Sequence, residues 1–80
     1  METNTALPLT TAYLRLIDTK YWGVTYQDEK VGFITEGTGG FLAHVYNELG
    51  TYTKLLRNLI EAAVWIKNEA GANYLHIPTR

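Results

Sequence analysis

Eighty residues with a formal net charge of −1 and 19% charged side chains make one small domain, with no electrostatic footprint for direct nucleic-acid binding. Cysteine is absent, which excludes disulfides and thiolate metal sites and leaves a small core without covalent support. No apolar run approaches the roughly 18–20 residues of a membrane span. Met1–Pro8 lacks the basic segment and apolar core of a signal peptide, so the expectation is a cytoplasmic protein supported by dimerisation or by a partner.

In chain order, residues 1–10 read as a loose arm containing Pro8, the rest being a single domain. Ala12–Ile17 alternates as a strand and Asp18–Lys20 reads as a turn. Tyr21–Tyr26, β-branched and aromatic, is a second strand with Gly23 as a candidate bulge. Gln27–Lys30 reads as a polar hairpin turn, Val31–Thr35 as a third strand, and Glu36–Gly40 as a loop. Phe41–Tyr46 is the clearest strand, and Asn47–Gly50 leads out of it.

Thr53–Gly71 is the one long helical pattern. At about 100° per residue, Leu55, Leu56, Leu59, Ile60, Ala63, Ile66 and Ala70 share one arc. Lys54, Arg57, Asn58, Glu61, Asn68 and Glu69 lie opposite, with Trp65 in the middle of that polar arc. Thr53 or Thr51 is the expected N-cap and Gly71 the left-handed residue past the end. Asn73–Ile77 is a short last strand, stopped by Pro78. The fold predicted is α+β: an antiparallel meander of about four strands, one helix packed on one sheet face, then a short final strand.

The period of two then assigns faces. With Leu14, Leu16, Val31, Phe33, Phe41, Ala43, Val45, Leu75 and Ile77 toward the helix, the outward set is Tyr13, Arg15, Ile17, Ile34, Leu42, His44, Tyr46, Tyr74 and His76. That set is too apolar to face only water. Either a second subunit or another protein covers it, or strand twist and the N-terminal arm cover much of it, or the register differs.

The chemistry-bearing patterns are sparse. Gly37-Thr-Gly-Gly40 precedes a strand and lacks the lysine of a phosphate loop, so it reads as a hairpin loop. His44 and His76 are the only histidines, and two ligands without a third make a weak metal site. The acids are scattered and serine is absent, so no catalytic set stands out and neither metal nor cofactor is expected. Trp65, flanked by Lys54, Arg57 and Glu61, reads either as an interface anchor, since aromatic and Arg side chains dominate binding energy, or as a ring lying over neighbouring side-chain stems or met by the N-terminal arm. The candidate partner-binding residues are Trp65, Glu61 and Arg57 on the helix and Tyr13, His44, Tyr46, Tyr74 and His76 on the sheet.

Three segments carry a family resemblance: Gly39-Gly-Phe-Leu-Ala-His-Val45, Glu48-Leu-Gly-Thr-Tyr-Thr53, and Leu55-Leu-Arg-Asn-Leu-Ile-Glu-Ala-Ala63. Within residues 33–77 the chain resembles the small HicB-like antitoxin domains. In that family a hairpin leads through a threonine cap into a helix carrying Asn-Leu-x-Glu-Ala, here Asn58–Ala62. Gly50-Thr-Tyr-Thr53 departs from the family's usual passage, the N-terminal strand pair is extra, and no helix-turn-helix or ribbon-helix-helix follows. The resemblance implies the same strand–helix–strand order and a role in neutralising a partner toxin.

The function expected is a non-catalytic protein-binding module, antitoxin-like and able to form a homodimer. The alternative is a small phage- or mobile-element-type inhibitor that occludes a host defence protein.

Overall fold

The computed structural model describes residues 8–78. Six strands form one sheet: β1 (Thr11–Asp18), β2 (Tyr21–Tyr26), β3 (Glu29–Gly37), β4 (Gly40–Asn47), β5 (Gly50–Leu56) and β6 (Tyr74–His76). A single helix, α1 (Leu59–Ala70), separates β5 from β6. The sheet order is β5-β4-β3-β2-β1-β6. The first five strands form an antiparallel meander through two-residue turns at 19–20, 27–28, 38–39 and 48–49. From the β5 edge, α1 carries the chain across one face to the opposite edge, where β6 pairs parallel to β1. The α+β class is as the sequence implied, with six strands in place of about five.

The added strand comes out of the predicted helix. Gly50–Leu56 pairs with β4 from Asn47↔Gly50 to Phe41↔Leu56, so Leu55 and Leu56 belong to the sheet and not to the helical arc. Thr51, Tyr52 and Thr53 favour extended backbone, and the Glu48–Leu49 turn returns them onto β4. Residues 53–58 therefore correct the helix start, and neither Thr51 nor Thr53 is the cap. Asn58, extended at φ −146° and ψ 166°, accepts the Glu61 backbone N–H on Oδ1 at 2.8 Å. The other end is as read from the sequence. Gly71 is left-handed (φ 85°), and the Gly71 and Ala72 N–H groups donate to Asn68 O and Lys67 O, closing a Schellman motif.

The core is a layer of Ala12, Leu14, Val24, Ile34, Ala43 and Val45 from the sheet against Ala62, Ala63 and Ile66 from α1. Burying a side chain such as Ile34 or Ile66 contributes about 1.5–3 kcal/mol. Ile60, expected in the apolar arc, is exposed, and Ala62 takes its place.

Face assignment in β3 is inverted at Phe33 and Ile34, while Val31 packs on the core as the sequence implies. Val24 pairs with Gly32 while Thr25 pairs with Lys30, leaving Val31 as an extra, unpaired residue. This bulge sits on β3, not at Gly23. One extra residue reverses every later side chain. Phe33 therefore points away from the helix, and Ile34 is fully buried beneath it. A second bulge, at Ile17, ends the regular part of β1, and Leu16 is left 63% exposed instead of inside. No helix among the described residues is long and apolar enough to cross a membrane. Of the predicted N-terminal arm, residues 1–7 lie outside the described ones.

Candidate functional site

With α1 on one side only, the other sheet face has no second layer among the described residues. Its centre is a row that crosses five strands in register: Arg15↔Gly23, Gly23↔Phe33, Phe33↔His44 and His44↔Thr53. Phe33 and His44 stack, with centroids 4.2 Å apart and planes 13° from parallel. The Thr53 hydroxyl lies 3.2 Å from His44 Nδ1 and fixes the imidazole from its other side.

Around the pair the aromatic cluster extends in both directions. Tyr21 meets Phe33 edge-on at 5.6 Å and Tyr46 approaches it at 6.0 Å. Lys30, the residue just before the β3 bulge, donates from Nζ to Tyr21 Oη at 2.6 Å. Its ammonium lies 5.0 Å from the Tyr21 ring centre and 5.3 Å from that of Phe33. At the far edge Tyr13 and His76, paired between β1 and β6, pack at 5.5 Å, with Tyr74 56% exposed beside them.

Five of the expected partner-binding residues (Tyr13, His44, Tyr46, Tyr74 and His76) thus share this face. The helix candidates do not join them. Trp65 is half-buried and packs on the core, not out of a polar arc, because α1 begins later and presents Ala62, Ala63 and Ile66 to the sheet. Arg57 and Glu61 form an exposed i,i+4 ion pair at 2.9 Å across the helix start, a geometry that contributes a few tenths of a kcal/mol at most.

Three members of the face, Phe33, Tyr21 and Lys30, were missed by the sequence reading. The bulge hid Phe33, its one signal being Gly32, a glycine inside a strand, and Lys30 was hidden because it reads as part of the turn while β3 begins at Glu29. The two histidines cannot share a ligand. Four inter-strand steps separate β4 from β6, about 19 Å. Among the described residues no group of three or more His, Cys, Asp or Glu could hold a metal ion.

A cleft of about 790 Å³ also opens beside β1, lined by Leu14, Leu16, Trp22, Leu59 and Ile77 with Arg15 and His76. It lies where β6 stops pairing, since β6 accompanies β1 only from Thr11 to Tyr13. Compared with protein-family models, with curated proteins and with solved structures, the chain has no significant match.

Proposed function

We propose that the chain is a non-catalytic module that binds another protein through the open sheet face and neutralises it by covering a surface the partner needs, as an antitoxin does. The observation that carries this reading is the face itself. Four of the six strands present Tyr13, Ile17, Leu42, Tyr46, Leu55 and Tyr74 outward, each more than a third exposed. Contiguous apolar and aromatic surface of this kind is a feature of interfaces, where tyrosine supplies large contact area at low entropic cost. The HicB-like resemblance supports the same role. Its Asn58–Ala62 piece is the start of α1, on the layer that holds the sheet from behind and leaves the aromatic face free.

The test is affinity capture from the native host with the tagged chain. It is repeated with Tyr46→Ala/Tyr74→Ala and, separately, with Arg57→Ala/Glu61→Ala. All four side chains are partly or largely exposed, so both variants should fold, as circular dichroism would verify. Capture of the same protein should be lost in the first variant and retained in the second. The reverse pattern would move the interface to the helix.

A further inference from the structure

We infer that the partner docks an acidic surface on this face, with its carboxylates meeting Lys30, Arg15 and the outward edges of the Phe33–His44 pair. The inference rests on the reading of the sheet face as a protein-binding surface and adds the chemistry of what binds there.

The fold keeps most carboxylates off the open face although the chain is nearly neutral. Cross-strand partners share a face, so Lys30, opposite Thr25, and Arg15, opposite Gly23, lie on the open side. The same rule puts Glu29, opposite Tyr26, and Glu36, opposite Phe41, on the helix side. Glu61 and Glu69 are on α1, and Asp28 and Glu48 lie in turns. Cross-strand pairing also puts Asp18, opposite Tyr21, on the open side at the corner where β1 ends, and its Oδ1 accepts the Thr19 N–H at 2.7 Å. Among the described residues, two cations therefore stand within this face and one carboxylate, Asp18, lies at its corner.

Ring orientation separates the occupants this charge would admit. Phe33 and His44 come from neighbouring strands and face each other at 4.2 Å, so their planes stand up from the sheet and their edges point outward. Bases stack on ring faces, and here those faces are turned toward each other. Ring edges carry the positive end of the aromatic quadrupole and suit carboxylate and carbonyl oxygens. A second copy docked face to face would bring the same two cations with only the corner carboxylate Asp18 to meet them, which complementarity disfavours. An acidic protein surface with apolar residues among its carboxylates satisfies both the charge and the edge geometry.

The experiment uses the full chain, ¹⁵N-labelled, titrated with a random copolymer of glutamate and tyrosine as probe, with polylysine and the oligonucleotide dT20 as comparators. Saturable binding of the copolymer is expected, with amide shifts concentrated at Gly23, Lys30, Phe33 and His44. Arg15→Glu/Lys30→Glu should weaken it by at least about tenfold, and the neutral pair Arg15→Gln/Lys30→Gln by less. Arg57→Ala should leave it unchanged. Absence of copolymer binding, equal binding of polylysine, or shifts confined to α1 would overturn the inference. Tighter binding of dT20 at the same amides would overturn it in favour of a nucleic acid. Concentration-dependent shifts at those amides without probe, together with a dimer mass by light scattering, would overturn it in favour of a second copy. Host capture that depends on Tyr46 and Tyr74 while the copolymer fails would remove the acidic preference and leave protein binding standing. Failure of both would remove both.

Discussion

Phe33 and His44 occupy opposite positions on β3 and β4 and stack at 4.2 Å on the face away from the helix. The pair exists because Val31 is an extra residue in β3, which turns Phe33 outward and sends Ile34 into the core. A regular β3 would put Phe33 under α1 and leave His44 without its neighbour.

That inversion is measurable. Ile34→Ala should cost about 2–5 kcal/mol by urea denaturation, as expected for a buried Ile truncated in a packed core. Phe33→Ala, removing a half-buried ring, should cost clearly less. Equal losses, or a larger one at Phe33, would restore the regular register.

Gly32 is the close-approach point that lets the bulge lie under the helix. A Cβ there would collide with the His44 carbonyl oxygen and sit 2.9 Å from Ile66 Cγ2. Gly32→Ala should therefore destabilise by about 1–3 kcal/mol, the usual cost of overpacking. Gly37, where an added Cβ meets nothing within 4 Å, is the control, and Gly37→Ala should be close to neutral. A tolerated Gly32→Ala would argue against the close contact with Ile66.

The start of α1 gives a third expectation. Asn58→Ala removes the acceptor of the Glu61 N–H and should cost about 1 kcal/mol in thermal or chemical unfolding. If Thr53 were the cap, Thr53→Ala would instead cause the loss of helical signal. In the structure its hydroxyl meets His44, so that change should disturb the aromatic face and leave α1 intact.

The β2–β3 turn is under local strain. Gln27 and Asp28 both have positive φ, 54° and 64°, in a two-residue hairpin loop. Asn-Gly is the sequence such a turn favours. Gln27→Asn/Asp28→Gly should raise stability by about 0.5–1 kcal/mol, read as a higher melting temperature, whereas a lower one would contradict the turn geometry.

Sequence patterns alone determined the α+β class, the meander, the single helix and its Gly71 stop, because these follow from local propensity and from the periods of side-chain direction. They also brought Tyr13, His44, Tyr46, Tyr74 and His76 onto one face, since alternation within β1, β4 and β6 is regular there. Three matters were decided only in the folded sheet. Gly50–Leu56 reads equally well as the first turns of a helix, and pairing with β4 makes it a strand. Trp65 reads as polar-arc surface until the loss of Leu55 and Leu56 to β5 re-centres the buried side of α1 on Ala62, Ala63 and Ile66, beside which Trp65 packs on the core. The face of Phe33 depends on one unpaired residue, Val31, whose position is set by how β2 and β3 align and by the room Gly32 leaves for Ile66. Propensity acts over a few neighbouring residues, whereas register is a relation between strands, and it is register that assembled the aromatic face.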